Sequence, residues 1–192
     1  MNMIAEGKKS PKVAKRKILW HGDAKYDPTG KYRYWLERVF ICPDCDDQRT
    51  LWKCDCAKWK GKVVFIMLNP STATAQVSDR TVRRCETYAT DWKFRCLVVL
   101  NIFAIRSTDP AILYSDKTPI GPKNNRWIQN CTKDADLIIC AWGEHGDHLG
   151  RGKAVLQMLR HKRLHYLKLG KKGTPTHPLY LNGNLKPKPL SN

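Results

Sequence analysis

Three short apolar runs constrain this chain more than any other feature: residues 63–68 (VVFIML), 96–100 (CLVVL) and 137–142 (LIICAW). Uninterrupted hydrophobicity of that length is what a central strand needs when both faces of its sheet are covered. Ser78-Asp79-Arg80-Thr81-Val82 reads as a helix start, with Ser78 or Asp79 as N-cap. Residues 124–131 and 152–159 read as two more helices, the last with Val155, Leu156 and Leu159 turned inward. Residues 164–169 form a fourth short strand, and residues 32–40 alternate as a strand ahead of the first run. Strand, helix, strand, helix, strand implies right-handed crossovers. The expected fold is therefore α/β, a three-layer sandwich around a mostly parallel, four-stranded central sheet. The 192 residues, 42% of them hydrophobic, suit one domain with decorations. That domain is placed at 17–185, between a basic, flexible N-terminal arm at 1–16 and a Lys/Pro-rich tail at 186–192.

In such a sheet, ligands bind at the carboxyl ends of the strands. Three turns are expected there: Asn69-Pro70-Ser71, Asn101-Ile102-Phe103, and the one after Trp142-Gly143. Asn69 is a polar residue at the tip of a buried strand, and Pro70 stops the strand from continuing. Ser71 and Thr72 then present hydroxyls and amides beside a helix whose start carries Arg80, Arg83 and Arg84. An Asn-Pro turn followed by a routine cap is the plain alternative. Asn101 ends the second run with Arg106 a few residues on, and His177-Pro178 forms a late turn. A lone late histidine is more often a surface residue. Three polar tips converging on one sheet edge point instead to a pocket.

Lys and Arg number 35 against 17 Asp and Glu, a formal net charge of +18. A surface like that attracts polyanions and releases their counterions on contact, so nucleic acid is the expected partner. An acidic membrane face is the rival, but no amphipathic helix with a large apolar face stands out. No run approaches the roughly 18 apolar residues of a membrane helix, and the N-terminus lacks the apolar stretch of a signal peptide. A soluble, cytoplasmic monomer is expected.

A small cysteine-rich insert at 41–61 brings Cys42-x-x-Cys45 and Cys54-x-Cys56 together, four thiols that suffice for a tetrahedral structural zinc site. A hairpin of unligated thiols is the alternative. Trp52, Trp59 and the neighbouring lysines make the insert a candidate nucleic-acid contact.

The segments LNPST, DRTVRRC, VVLNIFAIRSTDP, PIGPKNN, AWGEHG and HPLYL resemble, in order, a bacterial and phage family known as domain of unknown function 1643. More distantly, the same order resembles the uracil-DNA glycosylase superfamily. Met67-Leu68-Asn69-Pro70 stands for its first turn and the strand ending in Asn101, trailing Arg106, for its second. Cys140-Ala141-Trp142-Gly143 and His177-Pro178-Leu179 complete the series. That resemblance implies base excision in an infected or bacterial cell. Asn69 would position the attacking water in the turn shaped by Pro70, and Asn101 would read the edge of an extruded base. His177 would stabilise the leaving base, Ser71 and Thr72 would hold a strand phosphate, and Phe103 would stack on the base. The first turn lacks the acidic residue of the fastest members, leaving Asp79 as a substitute base or simply a helix cap. Some members also hold an iron–sulfur cluster, for which Cys85 and Cys96 would complete the set; zinc is the preferred reading. A non-catalytic DNA-binding protein and an enzyme acting on free nucleotides are the competing readings.

Overall fold

The computed structural model describes residues 19–41 and 58–190. Among them, seven strands form one sheet in the order β1-β2-β4-β3-β5-β6-β7. The strands are β1 Leu19–Tyr26, β2 Arg33–Ile41, β3 Lys60–Met67, β4 Phe94–Asn101, β5 Leu137–Cys140, β6 Leu164–Tyr166 and β7 Lys188–Pro189. The helices are α1 Arg80–Asp91, α2 Ile112–Ser115, α3 Asn124–Cys131 and α4 Arg151–Met158. No helix among the described residues is long and apolar enough to cross a membrane.

The apolar runs become the middle of the sheet. β4, β3, β5 and β6 run parallel, as their sequences predict. Side chains along β3 alternate between two cores. Val63, Phe65 and Met67 pack with Val82, Cys85 and Tyr88 of α1; Val64, Ile66 and Leu68 pack with Ile128 of α3 and Val155 of α4. Both faces are thus covered, which is why the run has no polar alternation.

The sheet has seven strands rather than the expected four, because both edges are extended by antiparallel pairing. β1 and β2 extend one edge and β7 the other. β1 (LWHGDAKY) alternates between exposed and half-buried residues and so lacks the continuous hydrophobicity of a central strand. β7 is two residues long, in the segment read as a tail, and Leu190 N–H next to it donates to Leu164 O at 2.8 Å. The arm at 1–16 and Cys42, Cys45, Cys54 and Cys56 of the cysteine-rich insert lie outside the described residues.

The loop from β3 to α1, residues 68–79, is held from below by β2. Arg38, wholly buried, donates from Nη2 to Thr74 O (2.7 Å), from Nη1 to Ala75 O (3.1 Å) and from Nε to the Glu86 carboxylate (3.2 Å). Trp20 stacks on its guanidinium at 3.9 Å. The loop lies so close to β1 that a Cβ on Gly22 would stand 2.0 Å from Ala75 O, so only glycine fits there.

Candidate functional site

β3 is followed by α1 on one face of the sheet, whereas its neighbour β5 leads towards α4 on the other. Loops that diverge in this way open a crevice at the carboxyl ends of the two strands. A cleft of about 770 Å³ lies there, lined from the β3 side by Asn69, Ser71 and Thr72 and from the β5 side by Trp142, Gly143 and Glu144. The size is within the range of small-molecule sites, roughly 300–1,000 Å³.

The Asn69 turn is locked onto the loop after β4. Pro70 O accepts from Ser107 N–H (2.9 Å), and Asn69 Nδ2 donates to Ser107 O (3.1 Å). With its amide nitrogen engaged, Asn69 has its Oδ1 left as an acceptor. The His177 turn is brought to the same place by Gly143, whose φ of +76° suits glycine and whose N–H donates to Pro175 O at 2.8 Å. His177 Nδ1 accepts from Leu179 N–H at 3.4 Å, so the ring proton sits on Nε2. Burial pushes the imidazole pKa down, against a smaller pull from Asp79, and favours the neutral ring. Asn69 and His177, distant in sequence, therefore line one cleft as an acceptor and a donor.

A family model described as "Protein of unknown function (DUF1643)" matches residues 33–179. The chain belongs to the DUF1643 family. No curated protein and no solved structure matches it.

In this DUF1643 protein the other sequence-derived residues separate into two groups. Asp79 and Arg80 line the cleft with Asn69, Ser71, Thr72 and His177. Asp79 is the N-cap of α1: Oδ1 accepts from Val82 N–H (2.8 Å) and Oδ2 from Ala73 N–H (3.3 Å), so both oxygens are engaged. Arg106 is exposed, donates to Gly30 O (2.9 Å) and lines a smaller hollow that shares Ser71 and Thr72 with the cleft.

Asn101 and Phe103 are not brought to the cleft. Asn101 is 2% exposed, its carbonyl takes a bond from Asn124 Nδ2 (3.0 Å), and its own Nδ2 has no partner among the described residues. Phe103 is fully buried and packs against His148 at 5.8 Å between ring centres. The chain after β4 runs on under the Arg151 side chain, which donates to Ile102 O at 2.7 Å, and so stays inside the core. Arg83 projects to solvent from α1, and Arg84 lies over the Tyr88 ring at 6.0 Å.

Cys85 is buried against Met67, and Cys96 lies beside Glu37, 3.5 Å away, on a different strand. Burial raises both thiol pKa values, that of Cys96 to about 12. No group of three or more His, Cys, Asp or Glu among the described residues is arranged to hold a metal.

Sequence reasoning missed Arg33 and Glu144; Tyr180 lines the same cleft. Arg33 reaches the cleft from β2 although it is only 2% exposed. Glu144 is an exposed carboxylate at the cleft that makes no hydrogen bond among the described residues. Tyr180 is 86% exposed at the rim, just after the His177-Pro178 turn, while Leu181 beside it is buried. A single alternating strand residue and a lone acid carry no motif; only their convergence marks them.

Proposed function

We propose that this protein cleaves the N-glycosidic bond of a nucleobase drawn out of DNA into the cleft, in the manner of the uracil-DNA glycosylase superfamily. The observation that carries this reading is the meeting of Asn69 and His177 across one cavity at the strand ends. The bond between C1′ and the base nitrogen breaks with its electron pair leaving on the base. A water oxygen then bonds C1′ and gives up its proton. Asn69 Oδ1 orients that water, and His177 Nε2–H donates to the base as negative charge develops. Glu144 receives the water's proton, since the Asp79 carboxylate is held by two amide groups.

Extrusion of the base needs a surface that grips the strand on either side of it. Arg80 on the rim and the +18 charge of the chain supply attraction for phosphates, and Tyr180 offers an aromatic face for the stack. With Asn101 turned inward, the base edge would be read by His177, Thr174 and Thr176, which also line the cleft. The burial of Asn101 and the capped state of Asp79 favour, as a second reading, a non-catalytic DNA-binding protein that only holds a base there.

The test is mass spectrometry of bases released from oligonucleotides carrying uracil or modified pyrimidines. Release is expected from the intact protein, and Asn69→Ala or His177→Ala should slow it by on the order of 10²-fold or more with the fold unchanged. No release across a broad panel, with DNA binding retained, would favour the second reading and defeat the first.

A further inference from the structure

We infer that the cleft contains a phosphate subsite centred on Arg33, so that its ligand carries a phosphate monoester, as a free nucleotide or as the end of a strand. The inference rests on the nucleobase reading above and narrows it: the base would belong to a strand end or a free nucleotide, and not to a residue flanked by strand on both sides. The guanidinium of Arg33 is buried, and Nη1 donates to Ala73 O at 2.7 Å. Its Nε is buried with no hydrogen-bond partner, and no carboxylate forms an ion pair with it among the described residues. The other two buried arginines among the described residues differ: Arg38 Nε meets Glu86, and Arg151 Nε meets Ile102 O.

A buried cation with an unmet donor is unfavourable until an anion completes it. Burial lowers the Arg33 pKa to about 10, with Tyr26 and Asp79 opposing the shift, so the guanidinium is still charged at neutral pH. Guanidinium is suited to oxyanions that offer two acceptors in one plane, as phosphate does. The rest of the setting agrees. Ser71 and Thr72 line the same cleft, their backbone N–H groups make no hydrogen bond among the described residues, and the first turn of the twelve-residue α1 opens onto it. Asp79, which sits at that turn, has both oxygens turned to amide groups. A phosphodiester inside a strand has chain on both sides and is held at the surface. A monoester has a free end that can reach a residue as enclosed as Arg33.

The experiment follows the Arg33 Nε–H resonance by ¹⁵N NMR in the full chain, assigned by its loss in Arg33→Lys, during titration with four probes. These are inorganic phosphate, thymidine 5′-monophosphate, and one oligodeoxynucleotide with and without a 5′-phosphate. The resonance is expected to shift with phosphate and with at least one phosphorylated ligand, but not with the unphosphorylated strand. Saturation by the mononucleotide alone identifies a free nucleotide; saturation by the phosphorylated strand identifies a strand end. Calorimetry should show at least tenfold weaker phosphate binding in Arg33→Gln and a smaller loss in Arg33→Lys. An unmoved resonance, or Arg33→Gln binding phosphate as tightly as the parent, overturns the subsite. Base release without any of these responses would leave the glycosidic reading standing and remove this one. The reverse pattern would remove only the glycosidic chemistry.

Discussion

Arg33 and Arg38 leave the same strand, reach the same loop and are almost equally buried, yet their surroundings are opposite. Arg38 is saturated: Glu86, Ser78 and the carbonyls of Thr74 and Ala75 accept from it, and Trp20 covers it. Arg33 has one carbonyl acceptor, no ion-pair partner among the described residues and a cleft beside it. The contrast teaches how one loop can be rigid at one end and receptive at the other. Arg38 holds residues 74–78 in place, so that the Asn69–Thr72 end is presented in a fixed position.

The contrast would fail most visibly at Arg38. Removing that cation leaves Glu86 and Ser78 buried without it, so Arg38→Met should cost about 3–5 kcal/mol of unfolding free energy in denaturant titration. Adding Glu86→Leu should restore a large part of the loss. A small effect of Arg38→Met alone would erase the distinction between the two ends of the loop.

At the receptive end, substitutions should alter chemistry and spare the fold. His177→Ala is expected to lower the rate of base release on the order of 10²–10³-fold, as loss of one donor to a developing anion does. The melting temperature should stay near that of the parent. The pH profile sharpens the point. The folded-state pKa of His177 lies below its unfolded value of about 6.5, so the unfolded chain takes up the proton first. Stability should therefore decline as pH falls below about 6.5, until the lowered folded-state pKa is passed. His177→Gln should flatten that decline, and a profile unchanged by that substitution would exclude His177 as the titrating group.

Arg33→Met should change unfolding free energy by less than about 1 kcal/mol, because relief of a desolvated charge offsets one lost hydrogen bond. A loss as large as that of Arg38→Met would make Arg33 a second clamp and not a ligand site. The smallest effect is expected at exposed Arg106. Arg106→Gln should weaken DNA binding evenly across sequences and reduce the salt dependence by about one unit of slope.

The parallel centre was legible from the chain because a strand covered on both faces must be apolar throughout, as VVFIML and CLVVL are. The Asp79 cap was legible as well, since a short acceptor side chain before a helix satisfies free N–H groups in any context. β1 was not, because a half-exposed edge strand has a mixed composition shared with loops. The site divided in the same way. Asn69 and His177 could be suspected from polar residues beside Pro70 and Pro178, whereas the inward turn of Asn101 depends on what lies over the loop after β4.

Local rules written in the amino-acid order thus decided which segments form the apolar parallel strands, where α1 begins and that the chain carries a large net positive charge. Those rules act over a few residues, or over the summed charge, and need no knowledge of neighbours in space. Which polar groups share a cavity, and which of two buried arginines has lost its water without gaining an anion, was decided only by folding. Desolvation and pairing depend on contacts between distant parts of the chain: Ala73 and Asp79 around Arg33, and Glu86, Ser78 and Trp20 around Arg38.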